Sequence, residues 1–143
     1  MSALELTHDL QNALLVAARH ARSRAYAPYS NYKVGAAVLD EHGGIHAGCN
    51  VENAAYPEGV CAEAAALSAM VLAGGTRARA LLVVSGGQPG VWITPCGGCR
   101  QKLREFGAPD MPILSANESS TGATFTLAEL LPQSFGPEHL TVG

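Results

Sequence analysis

Cys61-Ala62-Glu63 and Pro95-Cys96-Gly97-Gly98-Cys99 are the two stretches around which the rest of the chain arranges itself. Each falls where a helix begins. Residues 60–73 are Ala-rich and close on Gly74-Gly75, while Pro95 precedes a second helical segment, residues 97–106, capped by Gly107. Between them, residues 80–85 form a continuous apolar run suited to a central strand; residues 86–90 read as a turn and residues 91–94 as a short extended piece.

Further out, Leu10, Leu14, Ala17 and Ala21 recur at helical spacing, with Arg19, Arg22 and Arg24 mostly off that stripe. The pattern predicts an amphipathic helix from residue 7 to about 24, ended by Pro28, whose ring biases the preceding residue toward extended geometry. Residues 33–40 and 45–49 flank a Gly-containing connection of hairpin length, and residues 50–59 are a polar loop with Pro57 and Gly59. Downstream, residues 112–116 and 123–125 read as strands. Thr126 and Glu129 form a capping box opening a short helix that Pro132 stops. Helix, two strands, helix, strand, helix, two strands, helix is the order of an α/β fold: a mixed sheet with helices on both faces, expected as one domain over residues 1–143.

Composition narrows the function. Only 15% of the 143 residues are charged and the formal net charge is -3, so no broad basic surface is available to neutralise a phosphate backbone. Nucleic acid is therefore not the expected partner, and with 9 Lys+Arg against 12 Asp+Glu there is no basic track for a single strand. No apolar run approaches the roughly 20 residues that span a bilayer, and the N-terminal residues lack the basic character of a signal peptide, which implies the cytoplasm. In that reducing compartment the four cysteines point to metal or redox chemistry more than to disulfides.

Thiolates at i and i+3 in Cys96-Gly97-Gly98-Cys99 share one side of a helical turn and can hold one tetrahedral ion. Alone, the pair is compatible with a structural zinc half-site, a redox pair or an accident of sequence. Cys61 and Glu63 add a third thiolate and a carboxylate. Three ligands leave a fourth position on zinc for water, whose pKa falls toward roughly 7, whereas structural sites are closed by a fourth protein ligand. Side chains in a first turn lean back over the helix end, so Glu63 reaches the reacting water without ligating the metal. Three thiolates outweigh Zn²⁺ by one negative charge, and the starts of two helices offset part of it. Cys49 has no place in this scheme and reads as a reduced core or strand-end residue.

These residues resemble the cytidine deaminases, whose signature is Cys or His, one residue, Glu, then Pro-Cys-x-x-Cys. The resemblance extends through Arg100-Gln101, Tyr26-Ala27-Pro28-Tyr29-Ser30, Val34-Gly35-Ala36-Ala37, Gly48-Cys49-Asn50-Val51-Glu52-Asn53-Ala54-Ala55-Tyr56 and the tail Leu130-Leu131-Pro132-Gln133-Ser134-Phe135-Gly136. The metal motif indicates a broad superfamily; the Asn50 segment and the tail resemble enzymes acting on free nucleosides. That likeness implies a three-layer α-β-α fold with a mixed five-stranded sheet and one Zn²⁺ per subunit on Cys61, Cys96 and Cys99. It also implies a homotetramer with shared active sites. Asn50 and Glu52 would bind the ribose 3'-hydroxyl, Tyr32 would lie against the pyrimidine, and backbone groups near Ala62 and Thr94 would read the base edge. Phe135 would come from a neighbouring subunit, and Ala54 and Tyr56 would reach the 5'-hydroxyl of a nucleoside bound next door.

The reaction so implied is hydrolysis of cytidine or 2'-deoxycytidine to uridine or 2'-deoxyuridine in pyrimidine salvage, with Glu63 as the catalytic proton carrier. Two other readings fit the motif: deamination of a related aminated pyrimidine, such as blasticidin S or an N4-substituted cytidine, and a zinc-stabilised binding module without chemistry. One departure stands out. Short-chain family members often carry Arg directly after the catalytic Glu, where it moderates the thiolate charge, and here the residue is Ala64. Arg100, Arg104 or the two helix ends must take over that role.

Overall fold

Every residue of the strand Val34–Asp40 (β1) is buried, because each of its faces is covered. Val34, Ala36 and Val38 point into one apolar core, and Ala37 and Leu39 into another on the opposite side. The computed structural model describes residues 6–88, 90–118 and 121–140. Its sheet has five strands. Ile45–Cys49 (β2) lies on one side of β1, and Ala78–Ser85 (β3), Pro112–Ala116 (β4) and Thr121–Thr126 (β5) follow on the other, in the order β2-β1-β3-β4-β5. Only the β3/β4 pair is parallel, so the sheet is mixed, as expected.

The helix His8–Ser23 (α1) covers one face with Leu14, Leu15 and Ala18. On the other face lie Ala62–Leu72 (α2), Gly97–Phe106 (α3) and the short Leu127–Leu130 (α4), which contribute Ala66, Met70, Leu103 and Leu127 to the core shared with Val34, Ala36 and Val38. This is the three-layer arrangement the resemblance implied. Thr7 caps α1 by accepting from the Leu10 N–H at 3.2 Å, and Thr126 with Glu129 forms the predicted capping box.

Three local expectations change, and a fourth segment stays outside the sheet as read. First, α1 ends at Ser23, before Pro28 can act: the chain has already turned away to pair Tyr26 with Val51. Second, α2 begins at Ala62 and not at residue 60, because Val60 exchanges backbone hydrogen bonds of 2.9 Å with Val51. Third, the short piece 91–94 joins no sheet, in keeping with the element order, and the ring of Trp92 sits where a Cβ on Gly122 would be. Fourth, β3 starts at Ala78 and β5 covers Thr121–Thr126, both longer than their apolar runs suggest, since strand pairing also recruits polar residues. Pro89, within the predicted turn 86–90, lies outside the described residues.

Two glycines set how closely the helices approach the sheet. A Cβ on Gly35 would lie 2.0 Å from the carbonyl oxygen of Ala18 in α1, and one on Gly48 would lie 2.5 Å from the backbone nitrogen of Ala66 in α2. Each helix therefore rests its backbone directly on a strand. At Gly48 the contact is made by Ala62, Ala65 and Ala66, which is why this helix is built from small residues. Gly48→Ala should force α2 off β2, costing about 1–3 kcal/mol by overpacking. Urea denaturation of the zinc-free chain measures the loss, and zinc affinity should fall with it because Cys61 moves with the helix.

Candidate active site

The sheet brings two helix starts to one end. Cys49 at the end of β2 pairs with Gly35 near the start of β1, whose neighbour Val34 pairs with Ser85 at the end of β3. The segments leaving β2 and β3 thus depart from the same edge, and they lead into α2 and α3. Pockets outside the carboxyl ends of strands arise in open α/β sheets for this reason.

Cys61 occupies the N-cap of α2 and Cys96 the N-cap of α3, positions where Ser, Thr, Asp or Asn normally hydrogen-bond their own helix. Neither thiol does so. Instead the Cys61 and Cys96 sulfurs lie 4.0 Å apart, and with the Cys99 sulfur, on the first turn of α3, all three fall within 4.8 Å of one another. Tetrahedral Zn²⁺ with bonds near 2.3 Å needs sulfurs about 3.8 Å apart, so the donor set and its spacing fit zinc. Cys49 stands apart on β2. Gly97 and Gly98 have no protein atom where a side chain would begin, apart from the Lys102 ammonium 3.8 Å from Gly98, so chain packing does not require them.

Glu63, in the first turn of α2, is only 4% exposed. Burial pushes its carboxyl above the usual range. Burial, with repulsion from Glu63 and the other two sulfurs, also pushes the Cys99 thiol up; Cys61 is raised by burial and by Cys96. Cys96 is lowered, chiefly by the field of the Cys99 backbone N–H at the α3 start. These groups cannot all ionise together unless a cation sits among them.

A second group of predicted residues is knitted together beside β1. The Asn50 amide spans the turn into β1, donating to the Tyr32 carbonyl at 2.9 Å and accepting from the Val34 N–H at 2.8 Å. Glu52 accepts from the backbone N–H groups of Tyr29 (2.9 Å) and Ser30 (3.1 Å) and from the Ser30 hydroxyl, which hold its carboxyl below the usual range. Ser30 carries no role in the sequence reading, since Glu52 stands 22 residues away and only the fold brings the two together. Tyr32 is half exposed.

Ala62 is fully buried at the start of α2, and the Thr94 hydroxyl accepts from Arg100 at 2.9 Å. Tyr56, 76% exposed, meets Tyr29 edge to face, and Ala54 is exposed beside it. Phe135, 56% exposed, stacks on His139 and is held by its carbonyl to Gln101 of α3. Among the described residues no ring contact or hydrogen bond joins Phe135 or Tyr56 to the cysteines.

A three-layer α/β fold with an open three-thiolate centre and a buried carboxylate at paired helix starts defines a zinc-dependent hydrolase of the deaminase class. Residues 8–115 match the family described as the cytidine and deoxycytidylate deaminase zinc-binding region. A cytidine deaminase of Sporosarcina psychrophila is 41% identical over 90% of this chain and 93% of its own length, and one of Mycobacterium tuberculosis is 40% identical over 90% and 92%. The crystal structure of cytidine deaminase from Burkholderia pseudomallei superposes with a TM-score of 0.81 at 41% identity, covering 91% of this chain and 100% of that one. The chain belongs to the cytidine deaminase family.

Serine in place of Cys61, Cys96 or Cys99 should each weaken zinc binding by more than about 100-fold, beyond the loss typical of an outer-shell partner. Cys49→Ser should leave it unchanged. Competition with a chromophoric chelator measures both.

Proposed function

We propose that this chain hydrolyses cytidine and 2'-deoxycytidine to uridine and 2'-deoxyuridine with release of ammonia, in the salvage of pyrimidine nucleosides. The observation that carries this reading is the meeting of three cysteine sulfurs beside buried Glu63. The names of the relatives at 40–41% identity support the substrate. When bound, zinc acidifies water and so supplies a nucleophile for C4 at neutral pH. Glu63 takes up the proton released, passes it to N3 of the ring and later helps protonate the departing 4-amine. A carboxyl whose burial favours the protonated form is suited to giving as well as taking.

Asn50 and Glu52 bind the ribose 3'-hydroxyl. Asn50 has a second amide hydrogen beyond the one given to Tyr32, and Glu52 retains lone-pair capacity beyond its three loop contacts. The Tyr32 ring lies against the base, and backbone groups of Ala62 and Thr94 read its edge. Phe135, Ala54 and Tyr56 act across subunits of a homotetramer. Their exposure in the single chain supports this, as does the outer face of α2, where Leu72 is 90% exposed beside a groove of about 590 Å³ lined by Ala64, Val71 and Phe106. The 143 residues form one domain, and the chain works in the cytoplasm. Its free cysteines suit a reducing compartment, and no helix among the described residues is long and apolar enough to cross a membrane.

Glu63→Gln should keep zinc and lose about 10²–10⁴-fold in kcat, read from the absorbance change of cytidine with metal quantified in the same sample. Near-normal turnover would remove Glu63 from the mechanism. Ammonia released only from blasticidin S or an N4-substituted cytidine would overturn the substrate and keep the chemistry. Diluted until light scattering reports monomers, the chain should lose activity, and Phe135→Ala should raise KM even at high concentration.

A further inference from the structure

Arg100 and Arg104 lie one helical turn apart on α3, yet their charges are used differently. Arg104 donates to the Ser134 hydroxyl at 2.9 Å and forms an ion pair with Glu138, so its charge is met by a carboxylate in the tail. Arg100 is half-buried and makes three hydrogen bonds, all to neutral oxygens: Nε to the Pro95 carbonyl (2.7 Å), Nη1 to the Leu130 carbonyl (2.7 Å) and Nη2 to the Thr94 hydroxyl (2.9 Å). Among the described residues no carboxylate pairs with it. A partly desolvated guanidinium without a counter-charge is costly, and so is a thiolate centre with negative charge in excess.

Arg100 is tied to the cysteine turn through the chain itself. Arg100 directly follows Cys99, its backbone N–H donates to the Cys96 carbonyl at 2.9 Å, and its side chain holds the carbonyl of Pro95, the residue before Cys96. Lys102 is the other nearby cation, but its side chain is exposed and its charge is screened by water. Resting on the reading of the three cysteines as the zinc site, we infer that Arg100 supplies the positive charge balancing this centre in a chain with Ala64 after Glu63. It acts as a positioning residue, through its charge.

Charge and hydrogen-bond framing separate by substitution, with zinc affinity of the full-length chain as the readout. Arg100→Gln should weaken zinc by about 10-fold or more, in the range of lost outer-shell partners, while Arg100→Lys should stay within about 3-fold of native. Ala64→Arg, placed in the Arg100→Gln background, should recover most of the loss, because charge can be delivered from α2 whereas the contacts to Pro95, Leu130 and Thr94 cannot. Native affinity in Arg100→Gln would overturn the inference, as would equal losses in the Gln and Lys variants with no recovery by Ala64→Arg. Should Arg100→Gln fail to fold, Arg100→Lys decides alone: near-native affinity upholds a charge role and a 10-fold loss overturns it. A native chain that takes up no zinc would instead defeat the reading of the site itself.

Discussion

Tetrahedral coordination by three thiolates demands sulfurs about 4 Å apart, and here they come from two helices far apart in sequence. Meeting that distance requires the starts of α2 and α3 to be placed to within a fraction of an ångström. The direct seating of α2 on β2 at Gly48 fixes the first of them. The crossover from β3 through α3 to the parallel strand β4 fixes the second. Both helices bury their inner faces in one core with β1, β3 and β4, so neither start moves without disturbing the sheet. A site built on packed elements holds its geometry better than one built on loops.

The same convergence creates an electrostatic problem. Burial pushes Glu63, and burial with mutual repulsion pushes Cys61 and Cys99, toward their neutral forms, and only Cys96 is favoured as thiolate, through a backbone donor of α3. Without a metal the cluster therefore holds protons that zinc must displace, which couples metal uptake to proton release. With zinc bound the centre keeps a negative excess, and its surroundings must be positive on balance. The helix starts supply part of that, and a guanidinium tied only to neutral oxygens supplies the rest.

Much of this was legible where the signal is local. The helix 97–106 is found with the bounds its sequence gives, because Pro95 and Gly107 punctuate it. The metal ligands were legible because Cys96 and Cys99 stand at i and i+3 on one helical turn and Cys61 adds a third thiolate beside Glu63 at another helix start. What escaped depends on contacts distant in sequence. Val60 looks helical beside its Ala-rich neighbours but is claimed by Val51. Pro28 looks like a terminator but follows a helix already turned aside by the Tyr26 pairing. Arg100 and Arg104 are indistinguishable by spacing, and only the arrival of Glu138 beside one of them tells them apart. The roles proposed for Phe135 and Tyr56 call for another copy of the chain, and in the single chain both rings are exposed.

One segment links recognition to chemistry. The chain leaving β2 passes Asn50 and Glu52, which hold the loop carrying Tyr29, Ser30 and Tyr32, and then runs directly to Cys61 at the head of α2. It is tied down along the way. Tyr26 donates to the Asn50 carbonyl at 3.0 Å and accepts from the Glu52 N–H at 2.8 Å, and Val51 pairs with Val60 just before the metal ligand. A sugar bound by Asn50 and Glu52 is therefore registered against the same backbone that positions Cys61. On the proposed reading of Asn50 and Glu52, fixing both ends of a nucleoside relative to one stretch of chain would set its reactive carbon against the metal and Glu63 without domain closure, the kind of positioning from which proximity effects in catalysis arise.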